Sequence, residues 1–144
     1  MSATYGPAAL KAMADFLPIF EAADFKFSHN DSPLRQTGEH SFEAAGYTYD
    51  AQVYAFWDAA ENAGWLQPFD WMSWSDTDEA IALRYQPDAI SQATPEQLSR
   101  LLTTFARAER FGDGAWHALW ESGALLRILR RADTLARELE GANP

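Results

Sequence analysis

The sequence predicts an all-α or nearly all-α domain, a compact bundle of five or six helices with at most a short β-hairpin within residues 23–47. Three observations carry that expectation. Apolar residues recur at helical spacing over much of the chain, most plainly from Thr94 onward. Proline and small polar residues stand where such stretches begin, and glycine where they end. Strand-like signals are confined to Phe25/Phe27, which alternate, and to the stretch from Phe42 to Tyr47, which reads as extended.

The elements follow in order. Pro7 suits a first helical turn, and Leu10, Met13, Ala14 and Leu17 continue at helical spacing until Pro18 forces a kink or a restart. Asn30-Asp31-Ser32-Pro33 reads as a turn. A second helix runs from about Tyr49 to Ala63, with Tyr49, Val53, Phe56, Ala60 and Ala63 on one face. Gly64 closes it as a left-handed residue. Trp65 to Trp74 shows no helical period. Ser75-Asp76-Thr77-Asp78-Glu79 then supplies a cap and an acidic first turn for a short helix through Tyr85.

Thr94 and Gln97 have the spacing of a capping box, with Pro95 at the first helical position. Leu98, Leu101, Leu102 and Phe105 form the apolar stripe of that helix. Gly112-Asp113-Gly114 breaks it, and Asp113 is suited to cap a short helix carrying Trp116, Leu119 and Trp120. Ser122-Gly123 makes a further corner. In the last helix Leu125, Ile128, Leu129, Ala132, Leu135, Ala136 and Leu139 share one face, opposite Arg127, Arg130, Arg131 and Arg137.

At 144 residues, with no internal repeat, low-complexity tract or Gly/Ser linker, the chain is expected to be one domain, 1–144. Its hydrophobic fraction of 47% and aromatic fraction of 14% exclude a disordered composition. With no cysteine it has neither disulfides nor Cys-ligated zinc nor thiol chemistry. No apolar run reaches the roughly 20 residues that span a bilayer, and no basic stretch followed by an apolar core opens the chain. A cytoplasmic location without membrane contact is the expectation.

Charge is distributed unevenly. Residues 1–82 carry thirteen Asp and Glu against Lys11, Lys26 and Arg35, which accounts for the whole net charge of −10. Residues 83–144 are balanced, eight carboxylates against eight arginines. Such a field repels phosphates and argues against direct nucleic-acid binding. It suits a partner with a basic surface, or it simply keeps the protein soluble.

Glu109 is the polar residue that breaks a pattern. At about 100° per residue it projects between Leu102 and Phe105, inside the apolar stripe. A carboxylate there is paired, hydrogen-bonded or raised in pKa. Two readings follow: a poised acid, base or ligand anchor with Arg110, Asp113, Trp116 and His117, or an acceptor for the backbone of the Gly112–Gly114 corner or for a neighbouring Arg. Asp113, His117 and Glu121 have helical spacing that metals use, but a cap and an ordinary His–Glu pair explain them, so neither a metal nor a cofactor is expected. His29 and His40 read as polar loop residues. The second candidate patch is Asp70, Trp71 and Trp74 with Phe69. It offers either stacking surfaces for a partner or a cover for the open end of the core, packed on Trp57 and Trp65. The Asp76/Asp78/Glu79 cluster lacks the glycine and distal Glu of an EF-hand loop and reads as helix capping. No phosphate loop, nucleophile elbow or Ser/His/Asp arrangement is apparent.

The run from Leu98 through Arg130 resembles an uncharacterised bacterial group, domain-of-unknown-function family 6508. The likeness rests on Leu101-Leu102-Thr103, Arg107, Glu109-Arg110-Phe111, Asp113-Gly114, Trp116, Gly123 and Ile128-Leu129. Phe16-Leu17-Pro18 and Phe69-Asp70-Trp71 with Trp74 fit upstream. Gly112 departs from the pattern, where a larger residue is expected. The resemblance implies no activity, ligand or catalytic residue.

The expected function is therefore a non-enzymatic acidic binding protein, an inhibitor of immunity or anti-defence type, that covers a basic partner through residues 39–79. The alternative is a small-molecule or enzymatic site around Glu109, Arg110, Asp113 and Trp116. A homodimer joined through the aromatic patch is the third.

Overall fold

Prolines and short capping side chains set most of the helix starts. The computed structural model describes residues 5–29, 35–36, 42–43, 48–111 and 114–142. Within them the order is α1 (Pro7–Ala14), α2 (Leu17–Phe20), β1 (Ser28–His29), β2 (Arg35–Gln36), β3 (Phe42–Glu43), β4 (Thr48–Tyr49), α3 (Ala51–Asn62), α4 (Trp71–Ser75), α5 (Asp78–Tyr85), α6 (Pro87–Ser91), α7 (Pro95–Phe111), α8 (Ala115–Glu121) and α9 (Ala124–Ala142). Pro18 restarts the chain as α2, as its missing N–H requires. Thr94 and Gln97 close the expected capping box, Gln97 N–H to Thr94 Oγ1 at 3.2 Å and Thr94 N–H to Gln97 Oε1 at 2.9 Å.

The predominantly helical expectation holds, but the count does not. Nine helices among the described residues exceed five or six. Three of the additions are α2, α4 and α6, each of four or five residues and too short to reveal a period. The stretch without helical period at Trp65–Trp74 thus ends in α4, where the Asp70 carboxylate accepts from Ser73 N–H at 3.3 Å. The extended part consists of two-residue antiparallel ladders, β1 with β4 and β2 with β3. Tyr49 belongs to β4 and not to the helix that follows. The Asn30–Pro33 turn, His40, most of the Phe42–Tyr47 stretch and the Gly112-Asp113 pair lie outside the described residues.

The core is one continuous cluster. Leu10 and Met13 of α1, Val53 and Phe56 of α3, Leu98, Leu101 and Leu102 of α7, and Leu125, Ile128 and Leu129 of α9 are all buried in it. Trp65 is fully buried, stacks on Tyr5 at 4.1 Å and donates its indole N–H to the Ala9 carbonyl at 2.9 Å. Its own carbonyl accepts from the buried Ser99 hydroxyl at 2.6 Å and from Thr103 at 3.3 Å. Two small hydroxyls of α7 thereby satisfy the carbonyl of a residue that, among the described residues, lies in no helix and has no sheet partner. Among the described residues no helix is long and apolar enough to cross a membrane.

Candidate functional site

Glu109 sits in the last turn of α7, half-buried, where the chain turns toward α8. Its carboxylate accepts from Tyr49 Oη at 3.1 Å to each oxygen, from Gly114 N–H at 3.2 Å and from Trp116 N–H at 2.9 Å. Gly114 itself has φ 115° and carries no capping side chain. Glu109 therefore supplies from a distance what a capping residue would supply locally: acceptors for the first N–H groups of α8, and negative charge at its positive end. Of the two sequence readings, the bonding matches the acceptor role at the corner. Burial, the Glu109 charge and the Glu109 hydrogen bond, in that order, push the Tyr49 phenol above its ordinary pKa; the backbone N–H groups of His117 and Gly114 act in the opposite sense.

Around this pair the aromatic rings close in. Trp116 stacks on Trp57 at 5.0 Å and packs against Tyr49 at 5.1 Å, and Tyr54 meets it edge-on at 5.9 Å. The indole nitrogens of Trp57 and Trp116 are both buried without a hydrogen-bond acceptor among the described residues. Trp57 thus belongs to the Glu109 cluster and does not back the Trp71/Trp74 patch. Arg110, beside Glu109 in sequence, is exposed. Asp113 lies outside the described residues.

His117 occupies the next position of α8. Its Nε2 lies 3.2 Å from Glu121 Oε1, the expected i,i+4 pair, and its Nδ1 lies 2.8 Å from Ser28 Oγ. A neutral imidazole with its proton on Nε2 fits both contacts, since Ser28 then donates to Nδ1. Sequence reasoning did not pair Ser28 with His117, because β1 and α8 are 89 positions apart and nothing local links them. Tyr49 was missed for a similar reason: read as a helix residue, it had no route to Glu109. Among the described residues no three His, Asp or Glu side chains gather to hold a metal ion.

In the second patch Asp70 caps α4, and its carboxyl is held below its ordinary pKa by Ser73. Trp74 donates its indole N–H to Glu79 at 2.7 Å and meets Phe69 at 5.9 Å. Trp71 packs against Phe111 at 6.0 Å. That contact brings the two candidate patches side by side, with Phe111 77% exposed between them.

Residues 6–138 match a family described as a family of unknown function, DUF6508. The chain belongs to this family. No curated protein and no solved structure matches it.

Proposed function

We propose that this member of DUF6508 is a non-enzymatic binding protein that covers a basic protein surface, in its concrete form an inhibitor of immunity or anti-defence type. One observation carries the reading. From Asp50 to Leu83 every charged residue is a carboxylate, and those of Asp58, Glu61, Asp70, Asp76, Asp78 and Glu79 are exposed. The same stretch exposes apolar side chains, Met72 at 53% and Ile81 at 41%. Apolar contact area combined with one sign of charge gives a partner both burial and long-range steering. The test captures a partner from cell lysate at low salt, then measures its affinity for the purified pair across salt concentrations. Affinity is expected to fall steeply with salt and to weaken by about tenfold or more in Asp58→Asn/Glu61→Gln/Asp76→Asn, whose side chains are solvent-facing. Recovery of no partner, or of one indifferent to salt, sinks the reading.

A second reading is enzymatic and rests on the Ser28–His117–Glu121 chain of contacts, a hydroxyl, an imidazole and a carboxylate in the order that acyl transfer uses. Ser28 would be the nucleophile, His117 its base and Glu121 the orienting acid. Fluorophosphonate labelling decides it: labelling lost in both Ser28→Ala and His117→Gln supports a reactive serine, and an unlabelled wild-type protein discards it.

A further inference from the structure

A pocket of about 550 Å³ opens between α4, α5, α7, α8 and the start of α9, walled by Trp71, Arg84, Leu101, Phe105 and Leu119. Its space has a sequence cause. Ala108, Ala118 and Ala124 face it from three consecutive helices, where larger side chains would fill it. The volume lies within the range of small-molecule sites, and the wall is mostly carbon.

The polar groups of that wall differ in what they can still offer. Three Ser and Thr hydroxyls line it, and each has already committed its proton to a backbone carbonyl: Ser75 to Met72 at 2.9 Å, Thr104 to Arg100 at 2.8 Å, and Ser122 to Leu119 at 3.0 Å. Of the donors that remain in the wall, the Trp71 indole N–H, the Tyr85 hydroxyl and the Arg84 guanidinium, Arg84 alone is charged, and Tyr85, 74% exposed, places its ring at the rim beside it. Arg84 makes one hydrogen bond, from Nη2 to the Ser75 carbonyl at 2.9 Å, and its Nε is buried without an acceptor. Among the described residues no carboxylate pairs with it. The i+4 partner that the sequence offers is Asp88, but α5 ends at Tyr85 and Asp88 falls in α6. A partly buried cation with one neutral acceptor is under-satisfied, and a carboxylate matches its fork with charge-assisted bonds.

We propose that this pocket binds a small amphipathic monocarboxylate, with its apolar body against Leu101, Phe105 and Leu119 and its carboxylate on Arg84. Among the described residues Arg84 is the one cationic side chain in the wall, so it pairs with one carboxylate and a second would stand there without a partner. Dicarboxylates are therefore rejected. The site is independent of the acidic face, so either stands without the other.

Isothermal titration of the full chain with octanoate, octanol, octylamine and suberate, which carries a carboxylate at each end, tests it. Octanoate is expected to bind more tightly than octanol by about tenfold or more, the factor one charge-assisted bond gives, with octylamine and suberate weaker than both. Arg84→Met is expected to erase the preference for octanoate while leaving octanol unchanged, and Arg84→Lys to keep part of it. Ala108→Leu should weaken both by filling the pocket. Because Arg84 also ties α5 to α4, folding of each variant is checked by circular dichroism, and the part of the octanoate-induced change in tryptophan fluorescence that is lost in Trp71→Phe reports occupancy of the pocket. Equal binding of octanoate and octanol overturns the proposal. So does a folded Arg84→Met that still prefers octanoate, no octanoate binding at about 10 mM, a concentration weaker than any useful site requires, or a dimer in solution that buries Trp71 and excludes octanoate. Retention of octanoate binding by Asp58→Asn/Glu61→Gln/Asp76→Asn is expected whether or not the acidic face binds a partner; its loss counts against a pocket of this kind.

Discussion

The Tyr49 hydroxyl lies 3.1 Å from both carboxylate oxygens of Glu109, across 60 positions of sequence. The contact joins β4 to the end of α7 at the point where α8 begins, so one carboxylate fixes three elements. Phenol and backbone compete for the same acceptor without conflict, because an ionised carboxylate has about four lone-pair sites. Tyr49→Phe removes the phenolic donor and is expected to lower unfolding free energy by about 1.5–3 kcal/mol, the range for a hydrogen bond to a charged group. Glu109→Gln is expected to cost at least as much, because a neutral amide oxygen accepts more weakly from the N–H groups of Gly114 and Trp116 and brings no negative charge to the start of α8. Chemical denaturation of both single variants and the double variant gives the coupling, expected at about 1–3 kcal/mol. Strictly additive costs would show that the contact carries no energy.

Tyr49 also predicts an alkaline limit. Its phenol is raised above the ordinary value of 10.0, chiefly by burial and then by Glu109. The folded state therefore resists losing this proton more than the unfolded state does. Its contribution is complete below 10.0 and is lost progressively as pH rises above that value. Stability measured between neutral pH and strong alkali should fall more steeply in the wild type than in Tyr49→Phe. Parallel curves would show that Tyr49 titrates as freely as an exposed tyrosine.

Glu79 predicts the acid counterpart. Its carboxyl accepts from the Trp74 indole at 2.7 Å and from Gln97 at 3.3 Å, and it lies 3.5 Å from the Arg100 guanidinium. Trp74 is the main reason its pKa lies below the ordinary 4.5. A depressed carboxyl contributes stability above that value and loses it as pH falls through the folded pKa. Both charged partners face solvent, so the contribution stays below about 1 kcal/mol. Glu79→Gln is expected to lower the melting temperature by a few degrees at neutral pH, with the difference closing below pH 4.5. A gap that is constant with pH would assign the effect to packing.

Sequence periodicity made the long elements legible. The stripes of α7 and α9, the Thr94/Gln97 box and the Pro18 restart all follow from local rules that act within a turn or two. Short helices such as α4 escaped because five residues hold no period, and only Asp70 gave a local sign of one. The candidate site was legible in part. Helical projection identified Glu109 as a carboxylate needing partners, and its backbone acceptor role at the corner was one of the two readings. Tyr49, Ser28 and Arg84 were not legible, since their significance comes from what lies opposite them in space. For Arg84 the decisive fact is a missing partner, which arises because α5 stops before Asp88 can reach back.

Gly64 offers a test in which one substitution type should have opposite signs at two positions. The chain leaves α3 there with φ 87°, Gly64 N–H bonding to Glu61 and Trp65 N–H to Ala60 at 3.1 and 2.9 Å. This pair of bonds is the Schellman closure, and it delivers Trp65 into the core. A Cβ at Gly64 would meet nothing nearer than Gln67 Nε2 at 3.7 Å, so space is not the obstacle. The cost is the left-handed backbone, about 1–2 kcal/mol for an L side chain. Gly141, within the last turns of α9, has nothing within 4 Å of an added Cβ and no left-handed φ. There alanine restricts the unfolded chain and favours the helix, adding up to about 1 kcal/mol, less where the end frays. Gly64→Ala is thus expected to lower the denaturation midpoint and Gly141→Ala to hold or raise it, both with unchanged slope. A neutral Gly64→Ala would mean that the chain can leave α3 without the left-handed residue.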